Sequence, residues 1–217
     1  MFNEHKYFQN PNNKAEAFWQ LISFYDWQKP AECSLTSSCM VVNALMASRT
    51  REENFTTDDL LAKSSLKQEW KSDITEPCLG VSFDNLEKYL KDLFKQLNLD
   101  VSVEAVRMTK NAETDLEKFH NHLKRMNNEK DYYVVANYVQ TDFFKWEPDE
   151  YGHFSSLGAF DEANQKVLIL DVYRYTSEPH WVNTLELVKS MSTPDNSIKG
   201  KGPFPPRGYL VIKKRQC

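Results

Sequence analysis

Cysteine is scarce in this chain, with four residues (Cys33, Cys39, Cys78 and Cys217) among 217. That is far too few for the disulfide framework of a secreted domain of this length, so reduced thiols in a cytoplasmic protein are expected. Cys-x-x-Cys pairs and Cys/His clusters with zinc-ligand spacing are missing, and no metal site is expected. Long hydrophobic runs are missing too: nothing approaches the roughly 20 residues that span a bilayer. The opening Met1-Phe-Asn-Glu-His-Lys-Tyr7 lacks the apolar stretch of a signal peptide, so no membrane partner is expected. A net charge of −4, with Lys and Arg scattered, argues against a nucleic-acid partner. The closing Lys213-Lys214-Arg215 run reads as a solvated tail, and the His120/His122 pair as solvated helix surface. Internal repeats and low-complexity linkers are also lacking, so the chain reads as a single domain over residues 1–217.

What is present is ordinary globular material, 41% hydrophobic and 27% charged. Aromatic-rich residues 15–25 suggest a short helix. From Cys33, the positions Leu35, Cys39, Val42, Leu45 and Met46 recur at helical spacing and predict a buried helix to about residue 47. Thr56 to Asp59 reads as the start of a helix reaching residue 65. Phe83, Leu86, Leu90, Leu93 and Leu97 share one face of an amphipathic helix over 82–97. Thr114-Asp-Leu-Glu117 has capping-box spacing and opens a helix to about residue 126. The texture then changes to β-branched and aromatic runs at 132–138, 153–160, 167–173 and 208–213, with a short helix at 185–191 before the last. A helical lobe over about 1–130 followed by an antiparallel sheet over about 131–217 is an α+β layout.

One segment carries chemistry. Gln28-Lys-Pro-Ala-Glu-Cys33-Ser-Leu-Thr-Ser-Ser-Cys39 places Cys33 at the first turn of an apolar helix, just after a Pro-containing loop. A thiol there sits at the positive end of the helix dipole, which favours the nucleophilic thiolate. Such a nucleophile needs a base, and the base needs an orienting acceptor. His153 follows Gly152 at a strand start, and Asp171 ends the apolar run from Val167. Two antiparallel strands joined near 161–166 would set the ring beside the carboxylate. The bland readings compete: a helix-face Cys is usually core, as expected of Cys39, a lone His is usually structural, and a strand-end Asp usually caps a turn.

The ordered pieces carry more weight than their spacing. Gln28-Lys-Pro-Ala-Glu-Cys33, Val41-Val-Asn43-Ala-Leu45, Gly152-His153-Phe-Ser155, Leu168-Ile-Leu-Asp171-Val-Tyr-Arg174, Pro179-His-Trp181-Val and Arg207-Gly208-Tyr resemble the catalytic domain of phytochelatin synthases. These are papain-fold cysteine enzymes that act on glutathione. The resemblance runs from about residue 18 to 214. It implies that Cys33 is the nucleophile, His153 the general base and Asp171 the orienting carboxylate. The Gln28 amide, with the Cys33 N–H, would form an oxyanion hole. It further implies substrate contacts from Arg207 to a γ-glutamyl carboxylate and from Asp195 to its amino group, with Arg174, Gly152 and Ser155 in the matching motifs.

The implied reaction releases glycine from glutathione through a γ-Glu-Cys thioester, giving γ-Glu-Cys with water or phytochelatin with a second glutathione. No cofactor is required by that chemistry. Cadmium or zinc would enter as glutathione thiolate complexes, and a homodimer is the family-style expectation. The chain departs from the family in carrying Ser34 where Gly is common and in a Gln28–Cys33 loop one residue shorter. Its Asp195–Arg207 segment is about five residues longer, and no Cys-rich extension is expected after it. Two other readings stay open: a papain-like peptidase or deamidase acting on a larger peptide or protein, and a decayed thiol, metal or glutathione binder.

Overall fold

The computed structural model describes residues 6–47, 54–75, 80–109, 111–143, 152–173, 178–198 and 202–215. Cys78, Arg174 and Cys217 lie outside them. The chain forms α1 (Lys6–Gln9), α2 (Glu16–Leu21, running into a 3-10 turn Ile22–Phe24), α3 (Cys33–Ala47), α4 (Thr57–Lys63), α5 (Lys67–Asp73) and α6 (Phe83–Gln96). Then come β1 (Val101–Arg107), α7 (Ala112–Asn128), β2 (Tyr132–Val139), β3 (Gly152–Asp161), β4 (Lys166–Leu170), β5 (His180–Asn183), α8 (Thr184–Met191) and β6 (Gly208–Lys214). The six strands make one sheet in the order β1-β6-β2-β3-β4-β5 with every neighbour antiparallel. The α+β class is as expected.

Several elements differ from the sequence reading. β1 is a strand inside a first half that reads as helical. It closes one edge of the sheet by pairing with β6 along Val101↔Lys214 to Arg107↔Gly208. α5 is a seven-residue helix with a single large apolar anchor, Trp70, too short for periodicity to reveal. β5 follows the Pro179 turn and pairs with β4 at the other edge. α7 begins ahead of the Thr114 box, because the Asn111 side chain accepts the Thr114 N–H and caps the helix there.

α3 is the organising element. Every residue from Cys33 to Leu45 is buried, so the helix is wrapped on all sides rather than amphipathic. Apart from Thr36, whose buried hydroxyl has no partner among the described residues, its polar side chains are satisfied locally or used as pins. Ser38 Oγ donates to the Ser34 carbonyl, and Asn43 exchanges bonds with both backbone groups of Phe55. Ser37 Oγ donates to the Phe154 carbonyl at 3.0 Å, and Ser156 Oγ donates to the Ser37 carbonyl at 3.3 Å. These two bonds fix the slide of the helix along β3, and so the height of Cys33 against His153.

The core lies between this helix and the sheet, where Phe18, Leu21, Val41, Val135, Leu157, Ile169 and Leu210 are almost wholly buried. β6 can begin only with glycine. A Cβ on Gly208 would lie 2.0 Å from the Val106 carbonyl oxygen, inside any tolerable contact.

Candidate active site

Cys33 is the first residue of α3 and is 7% exposed, buried but not sealed. Its thiol shares a hydrogen bond with the His153 ring. His153 sits one residue into β3, and its Nε2 lies 3.0 Å from Asp171 Oδ1. Since Nε2 faces the carboxylate, Nδ1 is the nitrogen left to face the sulfur. Asp171, just past the end of β4, is fully buried and held from several directions. Oδ1 also accepts the Tyr173 N–H at 2.9 Å, and Oδ2 accepts Gln140 Nε2 at 2.7 Å and the Tyr138 hydroxyl at 3.4 Å. The β3–β4 hairpin thus does what the sequence predicts. It brings a strand-start histidine beside the carboxylate that ends the next strand.

The electrostatics follow from this chain of contacts. Burial alone would lower the His153 pKa. The charge and hydrogen bond of Asp171, joined by the Cys33 sulfur, override it and raise the imidazolium to about 10. Burial would likewise push the Cys33 thiol up. The hydrogen bond and charge of His153, with the backbone N–H groups of Phe154 and Ser34, bring it below its ordinary value instead. Burial opposes Asp171 as well, yet His153, Tyr173 and Gln140 hold its carboxyl below the usual range. All three shifts act in the direction of a thiolate–imidazolium pair braced by a carboxylate. By contrast, burial and nearby acids push the Cys39 thiol up to about 12, and it donates to the Phe55 carbonyl. It is the inert helix-face cysteine of the bland reading.

Gln28 is placed by its backbone, whose N–H donates to the Val172 carbonyl at 2.8 Å, one residue beyond Asp171. Its Oε1 is buried with no hydrogen-bond partner among the described residues. The short loop to Cys33 turns tightly. Glu32 N–H donates to Lys29 O at 3.0 Å, and Ala31 takes a φ of 63°, with Pro30 before it in the manner of a type II turn. Ser34, the residue after the nucleophile, is accommodated because Trp70 Nε1 donates to its hydroxyl at 3.4 Å.

The remaining expected contacts separate. Arg207 is buried and lies against Gly152, where an added Cβ would be 3.2 Å from Arg207 Nε. Its guanidinium is held by Thr193 Oγ1 at 2.6 Å, by the Pro194 carbonyl and by Asn196 Oδ1 at 2.5 Å. The fork is thus fixed next to the residue that precedes the base. Asp195 is engaged within the fold. It is fully buried, and its carboxylate accepts the Phe83 N–H at 2.8 Å, at the head of α6, and the Ser197 N–H at 3.2 Å.

Ser155 is also fully buried, with its hydroxyl 3.3 Å from the Tyr138 hydroxyl. Arg174 lies outside the described residues. His120 and His122 are not a solvated pair. They are half-buried, the first bonded to Thr184 Oγ1 at 2.8 Å and the second to the Tyr132 hydroxyl at 2.6 Å. Sequence reasoning missed Gln140, Tyr138 and Tyr25, none of which stands near the triad in the chain. No cluster of His, Cys, Asp or Glu suited to a metal ion occurs among the described residues, and no helix there is long and apolar enough to cross a membrane.

A helix-borne cysteine facing a sheet-borne histidine and aspartate is the papain-like arrangement of a cysteine enzyme. The family model described as phytochelatin synthase matches residues 4–209, and the chain belongs to that family. The chain is 27% identical over 204 residues to glutathione gamma-glutamylcysteinyltransferase 3 of Lotus japonicus, covering 92% of this chain and 38% of that protein. It is 28% identical over 206 residues to glutathione gamma-glutamylcysteinyltransferase 1 of Arabidopsis thaliana, covering 92% and 37%. The chain thus spans little more than a third of the length of these curated relatives. Among solved structures, xylellain, a cysteine protease from Xylella fastidiosa, is similar with a TM-score of 0.46 at 11% identity, over 95% of this chain and 85% of that one.

Proposed function

We propose that this chain is a glutathione-cleaving cysteine enzyme that passes through a γ-Glu-Cys thioester on Cys33. The observation that carries the reading is the continuous hydrogen-bonded line from Cys33 through His153 to Asp171 in a chain of the phytochelatin synthase family. The Cys33 thiolate attacks the carbonyl carbon of the Cys–Gly peptide bond. The oxyanion that forms would be met by two donors, the Cys33 N–H and the side-chain NH2 of Gln28. The C–N bond breaks, the proton on His153 goes to the departing glycine nitrogen, and the acyl group stays on sulfur.

His153, now neutral, accepts a proton from water, giving γ-Glu-Cys, or from the α-amine of a second glutathione, giving the two-unit phytochelatin. The raised pKa of His153 and the lowered pKa of Cys33 suit both halves, since the imidazolium is present when the leaving amine needs a proton. Arg207 supplies a fixed guanidinium beside Gly152, and a substrate carboxylate would meet the Nε–Nη2 edge that faces that glycine. Cadmium or zinc would arrive as thiolate complexes of the substrate.

The test is product analysis. Purified protein is incubated with glutathione alone and with cadmium or zinc, and glycine, γ-Glu-Cys and phytochelatin are quantified by mass spectrometry. Glycine release that disappears in Cys33→Ala is the result expected. Absence of glycine under every condition, with Cys33 shown to alkylate rapidly, would defeat the proposal.

A further inference from the structure

We propose that Tyr25 is a positioning residue for the oxyanion hole, tying the Gln28 loop to the backbone of Asp171. The inference rests on the acyl chemistry proposed above and adds a residue to it. Gln28 is separated from the nucleophile by a tight turn at Pro30–Ala31, and that turn alone does not set where its amide points. Two hydrogen bonds from the same segment do. The Tyr25 hydroxyl donates to the Asp171 carbonyl at 2.5 Å, and the Gln28 N–H donates to the Val172 carbonyl at 2.8 Å. They land on consecutive carbonyls of the backbone that leaves β4, and they clamp residues 25 to 28 along it.

Asp171 thereby serves two parts of the site. Its side chain orients His153, while its carbonyl registers the segment that carries the oxyanion donor. The Tyr25 ring is itself held in place, with Trp27 edge-on at 5.4 Å between centroids. Burial, with Asp171, Glu178 and Asp26 nearby, pushes the phenol well above its ordinary value, so it stays a donor through the working pH range.

The Tyr25→Phe substitution keeps the ring and its packing and removes the one hydroxyl. Acylation of Cys33 is read as the pre-steady-state burst of nitrophenolate from p-nitrophenyl acetate, a reaction that needs an oxyanion hole but not glutathione. The burst rate is expected to fall tenfold or more, the scale of a catalytic group displaced by about an ångström. Alkylation of Cys33 by iodoacetamide forms no oxyanion, so its rate and pH midpoint should not change. The double variant Tyr25→Phe/Gln28→Ala should be within about twofold of Gln28→Ala alone, because both substitutions remove the same donor from the same place.

Losses that multiply in the double variant, an alkylation profile that moves with Tyr25→Phe, or an unchanged burst would each overturn the proposal. So would the lack of any burst in the wild type while its thiol alkylates. If the ester acylates Cys33 but glutathione releases no glycine, the substrate assignment fails and the role of Tyr25 stands.

Discussion

Replacing Cys33 by Ser should change how stability depends on pH, in a window set by the triad. In the folded protein a lowered Cys33 and a His153 raised to about 10 favour the state in which the pair carries one proton, on the imidazole. In the unfolded chain the pair also carries one proton, on the thiol, between the ordinary values of 6.5 for His and 9.0 for Cys. Where the proton counts are equal there is no slope, so the ion pair contributes a flat region within the window from about pH 6.5 to 9. Below that window the unfolded histidine gains a proton and stability falls with falling pH; above it the unfolded thiol loses one and stability falls with rising pH.

Cys33→Ser removes the thiol and leaves His153 with Asp171. A group whose folded pKa is raised gives stability that is complete below its unfolded value and lost as pH rises towards its folded value. The decline therefore starts near 6.5 and runs at up to about 1.4 kcal/mol per pH unit. Part of the elevation of His153 comes from Cys33, so about 2 kcal/mol is the expected loss by about pH 9. For a chain of this size that is roughly 4–8 °C in Tm. The measurement is Tm against pH for both proteins, in which all other ionisable groups titrate alike and cancel. Parallel curves for the two proteins would refute the ion pair.

Three further outcomes follow from the same contacts. Asp171→Asn removes the largest influence raising His153, so the acid limb of Cys33 alkylation by iodoacetamide should move to higher pH and the rate at about pH 6 should drop tenfold or more; an unmoved limb would remove Asp171 from the triad. Gly208→Ala forces a methyl group onto the Val106 carbonyl and should cost roughly 3 kcal/mol or prevent β1 from docking, read as a Tm at least about 6 °C lower; a Tm equal to that of the wild type would contradict it. Asp195→Ala leaves the buried Phe83 N–H and the half-buried Ser197 N–H without their acceptor, and should cost about 1–3 kcal/mol in urea unfolding; no change would mean that the carboxylate does not hold the head of α6.

The parts of the fold written in local pattern are legible in the sequence. The long helices α3 and α6 announce themselves by apolar spacing, and α4 by the Thr56 capping box that the structure shows in both directions. The hairpin that joins His153 to Asp171 can be anticipated because both residues lie at the ends of adjacent apolar runs. What cannot be read depends on register between distant segments. Gln140 reaches Asp171 only because β2 lies beside β3, and Tyr25 only because the segment before α3 crosses the exit of β4. Motif order alone suggests Asp195 as a substrate ligand. Its burial against the start of α6 depends on a loop path that residue types do not encode. β1 alternates Val-Ser-Val-Glu-Ala-Val in period two, a strand signal that is present but masked by the helices on either side.

Whether Cys33 carries the acyl group is read most directly from the mass of that residue during turnover. Protein mixed with excess glutathione is quenched in acid within the first turnovers, digested and analysed for the Cys33 peptide. The expected result is one γ-Glu-Cys acyl unit on Cys33, released by hydroxylamine, accompanied by one glycine per protein and lost in Cys33→Ala. An unmodified Cys33 while glycine accumulates, or an adduct at Cys39 instead, would contradict the thioester.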